Sequence, residues 1–197
     1  MDQADIEGAA RFCYQLAGLD GDEAASPLTV ASRLAGTRVP VIRTDGIRAA
    51  AALARVGSEW RIYIRRGLSR RAKLWLVWHE VAELALRLER YECADVEECA
   101  DRLAAAMRMP ARAFRLAVRT CGDDWSELAE AFDVAETSAA LRWGEVFDEP
   151  LALVAPRREL RTRGAPWVWP DVSRATPPGA RRDVLRDDAR RSVVRVG

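Results

Sequence analysis

Histidine is almost absent from this chain: His79 is the only one among 197 residues. Sites that need several imidazole groups are therefore excluded, and any site around His79 must take its other side chains from other residue types. Lysine is equally scarce, since Lys73 stands alone beside a large excess of arginine. We attribute this bias to genomic base composition rather than to chemistry.

Excess charge, long apolar segments and paired cysteine motifs are also missing. The formal net charge is +1, so strong overall attraction to nucleic acid or to an anionic membrane is not indicated. The central apolar run, residues 74–78, is far shorter than the roughly 20 residues of a membrane-spanning helix. The N-terminus lacks the features of a signal peptide. We therefore predict a cytoplasmic protein with no membrane partner, whose four cysteines stay free thiols.

Apolar periodicity predicts an α+β fold with a mostly helical core and a small antiparallel sheet. With 49% hydrophobic residues, the chain can bury a core of ordinary size. Helical spacing predicts helices at about residues 4–17, 27–35, 70–88, 96–108, 111–120, 124–132 and 136–146. Short strands are expected at residues 38–43, 47–55 and 60–65.

The helix predicted at 70–88 is apolar on nearly every side, which is typical of a central core element. It nevertheless carries His79, Glu80 and Glu83 in its middle. Positions i and i+4 lie on one helical face about 6 Å apart, so His79 and Glu83 can reach one ion. Glu80 points about 100° away and is the candidate general base. Charged groups in an apolar helix are costly unless paired or coordinated, which favours a site over a structural role.

The helix predicted at 96–108 supplies the remaining candidates. Glu97 follows Glu83 by fourteen positions, and Asp101 lies one helical turn after Glu97. The pattern is H-E-x-x-E…E-x-x-x-D, which differs by one residue from the zinc-peptidase arrangement H-E-x-x-H…E-x-x-x-D. We predict that His79, Glu83 and Glu97 bind zinc and that Asp101 accepts the second ring N–H of His79.

These motifs and their flanks resemble the ImmA/IrrE family of metallo-endopeptidases. Members carry a strand ending in I-x-V-x-x-G-L-S, a helix with H-E-x-x-H, and then E-x-x-A-N/D-x-F-A-A-x-L-L-M-P. This chain has IYIRRGLS at 62–69, HEVAE at 79–83 and EECADRLAAAMRMP at 97–110, and the similarity covers about residues 5–147. The resemblance implies a zincin-like α+β domain, a bound zinc, and cleavage of a helix-turn-helix transcriptional repressor as protein substrate.

Glu83 stands where the family has its second zinc-binding histidine. A carboxylate can bind zinc, but it replaces a neutral ligand with an anion. The preference of the site for zinc over magnesium or manganese should therefore weaken. Two alternatives to zinc follow: the site binds another divalent metal, or it has lost metal binding. Two functions follow: a zinc-dependent endopeptidase in which the metal and Glu80 activate water, and a catalytically impaired regulator that binds such a partner without cleaving it.

The sequence predicts three segments. Residues 1–112 form the zincin-like peptidase domain, and residues 113–150 form a helical, helix-turn-helix-like extension packed on it. The last segment, 151–197, is rich in proline and arginine and is expected to be partly disordered, with a short ordered stretch at 151–154. Residues 122–149 carry nine acids and one base, which would repel phosphates, so direct DNA binding is not expected.

The strand predicted at 60–65 has a second candidate role. Zincins commonly hold their substrate as an added strand along a sheet edge near the metal. Residues 60–65 precede the helix of His79 and are our candidate for that edge.

Overall fold

The computed structural model describes residues 1–19, 26–122 and 124–148, together with the strand segments 151–154, 161–163, 181–184 and 192–195. The chain divides into two compact units, Met1–Arg112 and Ala113–Gly197. Among the described helices, none combines the length and the apolar character needed to cross a membrane.

The first unit combines helices with a small sheet, and the site residues predicted above fall on its last two helices. Its described elements are, in chain order, α1 (Gln3–Leu16), α2 (Pro27–Ala35), β1 (Val41–Thr44), β2 (Ala51–Val56), β3 (Glu59–Arg65), α3 (Arg70–Glu89) and α4 (Val96–Arg108). The helices and strands predicted for this part of the chain are all present, with ends that differ by a few residues. The predicted α+β class is therefore confirmed.

Side-chain caps fix where the two site-bearing helices begin. The Ser69 hydroxyl accepts a hydrogen bond from the backbone N–H of Ala72 at 3.2 Å, and the Asp95 carboxylate accepts one from Glu98 at 3.1 Å. Such caps satisfy backbone donors that have no partner within the helix. Each cap fixes the residue at which its helix begins, and so the number of turns between that end of the helix and His79 or Glu97.

The three-stranded sheet has the order β1-β3-β2 and is mixed. β2 and β3 form an antiparallel hairpin, with Leu53 opposite Ile62, whereas β1 runs parallel to β3, with Val41 opposite Ile62. The predicted antiparallel arrangement is therefore wrong for the β1–β3 pair. Because β1 and β2 run in opposite directions on either side of β3, the central strand must be parallel to one of them.

The predicted role of residues 60–65 as a free sheet edge is also wrong. They belong to β3, which is paired on both sides, and its Ile62 and Ile64 are fully buried. The edges of this sheet are β1 and β2, and β2 contacts α3. Among the described strands, the one that is both an edge of this sheet and in contact with the helix of His79 is therefore β2, the strand before β3.

The core of the first unit surrounds α3, which packs against α2, α4, β2 and β3. Its Val81, Leu84 and Ala85 are fully buried, and Leu103 on α4 is buried with them. The Tyr14 hydroxyl of α1 donates a hydrogen bond to the carbonyl of Met107 near the end of α4. Since α3 is held on several sides, it presents its polar residues from a rigid element.

The second unit takes up the helices α5 (Ala111–Cys121), which spans its boundary, α6 (Trp125–Ala131) and α7 (Glu136–Phe147). The rings of Phe114 and Phe132 stack with centroids 5.6 Å apart, and Trp125 meets Trp143 edge-on at 5.4 Å. Arg142, the one base in the acidic stretch 122–149, is fully buried. Its guanidinium is therefore not displayed to solvent, where it could contact phosphates.

A second sheet follows the helices. Its strands are β4 (Leu151–Val154), β5 (Arg161–Arg163), β6 (Arg181–Val184) and β7 (Ser192–Arg195). They pair antiparallel in the order β5-β4-β7-β6. The sequence predicts order only at 151–154, so the other three strands are unforeseen. The rest of the segment predicted to be partly disordered lies outside the described residues.

The packing around α3 generates the first prediction. Leu84 is fully buried, whereas Leu88, one turn later on the same helix, is 37% exposed. Truncation of a buried leucine leaves a cavity, so Leu84→Ala should lower the free energy of unfolding by about 2–5 kcal/mol. The matched Leu88→Ala variant should lose clearly less. Urea denaturation followed by far-UV circular dichroism measures both, and equal losses would contradict this description of the core.

Candidate metal centre

His79 lies at the centre of a cluster of carboxylates contributed by α3 and α4. Its Nδ1 atom is 2.9 Å from Oδ1 of Asp101. Its Nε2 atom faces Oε1 of Glu83 at 3.7 Å and Oε2 of Glu97 at 3.4 Å. Asp101 therefore accepts the hydrogen bond of one ring nitrogen, and the other nitrogen points toward two carboxylates.

The donor atoms of His79, Glu83 and Glu97 fit a divalent cation. They all lie within 4.8 Å of one another. Four-coordinate zinc with bonds of about 2.1 Å needs donor atoms about 3.4 Å apart. The two distances from Nε2 are already close to that value, and the Glu97 side chain, which is 77% exposed, has room to adjust. The structure thus brings together the three residues that the sequence predicts as ligands.

Glu83 is held from both sides along α3. Its Oε1 faces His79, one turn earlier, while its Oε2 accepts a hydrogen bond from Nη2 of Arg87, one turn later, at 2.5 Å. The pKa of Glu83 is lowered, first by its hydrogen bond with His79 and also by Arg87, against the opposing effect of burial. Sequence reasoning misses Arg87, although the i, i+4 spacing from Glu83 is the signal that could have identified it.

Glu80 is the most deeply buried of the acidic residues in this cluster, with 4% of its surface exposed. Burial, together with repulsion from the Glu83 carboxylate, raises the pKa of Glu80 to about 7. A carboxyl group with a pKa near neutrality can both accept and return a proton at physiological pH. The side chain next to His79 therefore has the acid–base property that the predicted general base requires.

His79 is an unusually basic imidazole in these surroundings. Burial alone would lower its pKa, but the hydrogen bonds with Asp101 and Glu83 outweigh that effect and raise the pKa to about 10. A cation that binds Nε2 must therefore displace a firmly held proton.

The fold and the cluster together define a zincin-like class of protein. A central helix presents H-E-x-x-E, and the neighbouring helix presents a glutamate and, one turn later, an aspartate to the same histidine. Comparison with protein families agrees: residues 37–143, more than half of the chain, match the model of the Peptidase M78 family, described as the IrrE N-terminal-like domain. The chain belongs to this family, which confirms the resemblance and places it among metallopeptidase-like proteins.

Comparison with individual proteins shows fold similarity only. A Mycobacterium tuberculosis transcriptional regulator of known structure aligns with a TM-score of 0.58 and 13% sequence identity, covering 81% of this chain. This chain spans 55% of the length of that regulator. No curated protein matches the sequence.

The basicity of His79 generates a prediction for zinc binding. Below its pKa of about 10, His79 must lose its proton before Nε2 can bind a cation, so affinity should rise with pH. Between about pH 8 and 9, where Glu80 is already ionised, the loss of the His79 proton should release at least about one proton per zinc and give at least a roughly tenfold gain in affinity. Calorimetry in two buffers of different ionisation enthalpy counts the protons. An affinity that does not change with pH would speak against His79 as a ligand.

Proposed function

We propose that this protein is a zinc-dependent endopeptidase that cleaves a helix-turn-helix transcriptional repressor. One observation carries the proposal: Nε2 of His79 faces Glu83 and Glu97 while Asp101 holds Nδ1. Membership of the peptidase family supports the reaction class. The fold similarity to a protein described as a transcriptional regulator supports a role in regulation.

Each site residue has a distinct proposed role. His79, Glu83 and Glu97 bind zinc, which when bound makes a water molecule more acidic and polarises the substrate carbonyl. Asp101 accepts the Nδ1–H of His79, fixing the tautomer and the ring orientation that leave Nε2 as the donor. Glu80 takes the proton of the attacking water and returns it to the leaving amine. Before a cation binds, burial and the Glu83 carboxylate raise its pKa to about 7, and the charge of the zinc would favour the ionised form that accepts the proton.

The substrate backbone is proposed to pair with β2. This strand contacts α3, and it is an edge of the sheet because β3 occupies only one of its sides. An extended polypeptide that adds a strand to such an edge is held by main-chain hydrogen bonds, largely independent of its sequence. Recognition of one particular repressor would then depend on side-chain contacts elsewhere.

A second candidate is favoured by Glu83 itself. The replacement of a neutral histidine by a carboxylate changes the charge of the site. A regulator that binds the same kind of partner without cleaving it would tolerate this change, because it does not need to activate water. Partner binding without cleavage by the zinc-loaded protein would favour this candidate.

Glu80→Gln tests the proposed general base. The amide keeps the size of the side chain but cannot accept the proton, so cleavage should fall by about 10²–10⁴-fold. Zinc content and melting temperature should be retained. The exposed Glu89→Gln variant, on the same helix, is the matched control and should cleave normally. Candidate helix-turn-helix repressors of the same organism are incubated with each variant and analysed by intact-mass spectrometry, and undiminished cleavage by Glu80→Gln would exclude Glu80 as the base.

Glu83 is tested by a pair of substitutions. Loss of an outer hydrogen-bond partner of a metal ligand already lowers affinity by about 10–100-fold, so loss of the ligand in Glu83→Ala should weaken zinc binding by at least about 100-fold. Glu83→His supplies a donor on the same helical face and should retain tight binding. Competition with a chromogenic chelator measures both. If Glu83→Ala binds zinc as well as the unaltered protein does, Glu83 is not a ligand.

A further inference from the structure

We propose that Arg87 is a positioning residue of the metal centre, which makes Glu83 act as a single, charge-compensated donor in place of a neutral histidine. This inference rests on the proposed zinc site and adds to it a residue that determines which metal the site selects.

The two oxygens of the Glu83 carboxylate have different partners. Its Oε2 lies 2.5 Å from Nη2 of Arg87, and its Oε1 lies 3.7 Å from Nε2 of His79. A guanidinium is a strong, directional donor, and a charge-assisted hydrogen bond of this kind holds the carboxylate in one orientation. With Oε2 engaged, Oε1 alone faces the position between His79 and Glu97. Glu83 then offers one donor atom, as an imidazole would.

The charges of Glu83 and Arg87 compensate each other. Glu83 carries one negative charge and Arg87 one positive charge, so together they are formally neutral, as an imidazole ligand is. The compensation is partial in energy, because 45% of the Arg87 side chain is exposed and solvent screens its field. The hydrogen bond to Oε2 is also directional, so the orientation of the carboxylate is the firmer part of the effect.

The buried position of Glu83 requires a cationic partner. Its side chain is only 10% exposed, and a buried carboxylate is strongly destabilising unless it is paired. Arg87 is one helical turn later, at the spacing at which opposite charges on a helix meet. The rise of α3 therefore places the guanidinium beside the carboxylate without any backbone distortion.

A purely structural ion pair and a positioning residue make different predictions about the choice of metal. A carboxylate freed from Arg87 can bind a cation through both oxygens and with its full charge. That mode suits Mn²⁺, which prefers oxygen donors and more ligands than zinc does. A single donor oxygen suits four-coordinate zinc. The informative quantity is thus the ratio of the dissociation constants for manganese and zinc, because both ions carry the same charge and simple electrostatic effects largely cancel.

The test is a double-mutant cycle on that ratio, measured by competition with a fluorescent chelator. Arg87→Gln should lower the ratio by roughly tenfold, while the same substitution in the Glu83→His background should leave it unchanged. Arg87→Lys keeps the positive charge and a hydrogen-bond donor, so its ratio should lie between those of Arg87→Gln and the unaltered protein. Arg90→Gln removes an exposed arginine just beyond α3 and is the matched control for charge, so its ratio should not change.

The outcomes separate this inference from the function on which it rests. The role of Arg87 would be overturned, with the metal centre intact, if Arg87→Gln left the ratio unchanged. It would also be overturned if Arg87→Gln changed the ratio equally in the protein that carries Glu83 and in the Glu83→His variant. If the unaltered protein binds neither zinc nor manganese, the proposed metal centre itself is wrong, and the role of Arg87 fails with it. Circular dichroism of each variant verifies that all of them are folded.

Discussion

The hydrogen bond between His79 and Asp101 is the interaction on which the candidate site depends. It joins α3 to α4 at 2.9 Å, two helices whose apolar faces are buried together in the core. By occupying Nδ1, Asp101 directs Nε2 toward Glu83 and Glu97, and so determines which atoms can meet at one ion. Without it, the ring of His79 could turn, and Nε2 would no longer be fixed as the ring nitrogen that faces Glu83 and Glu97.

Three carboxylates face His79 and a fourth, Glu80, follows it in the chain, and each of the four is in a different environment. Glu83 is paired with Arg87, Asp101 with His79, and Glu97 is largely exposed to water. Glu80 is buried, and its pKa is raised to about 7, so that it takes up a proton more readily than an ordinary glutamate. Pairing, exposure to water and uptake of a proton thus each reduce the cost of keeping like charges close together. The same arrangement separates the three proposed ligands from Glu80, the proposed proton carrier.

Sequence patterns predict the part of this site that is local. Helical spacing places His79 and Glu83 on one face, and the second motif places Glu97 and Asp101 one turn apart, so the contacts of His79 with all three could be anticipated. The direction of β1 could not, because the alternation of apolar and polar residues does not encode the direction of a neighbouring strand. Arg87 was equally hard to recognise. Pairs of opposite charge at i, i+4 are common on exposed helices, and the apolar sequence around Glu83 indicates that it is buried but not which side chain pairs with it. The strands beyond residue 160 lie in a segment rich in proline and arginine, where no alternation of apolar and polar residues predicts them.

The most direct test of the account is the metal content of the protein as it is purified, without added metal. Elemental analysis by mass spectrometry should find about one zinc ion per chain, and a His79→Gln variant that is folded should contain almost none. The absence of any divalent metal from the folded, unaltered protein would contradict the central claim. An equal zinc content in both proteins would contradict it as well, because the ion would then be bound somewhere other than at His79.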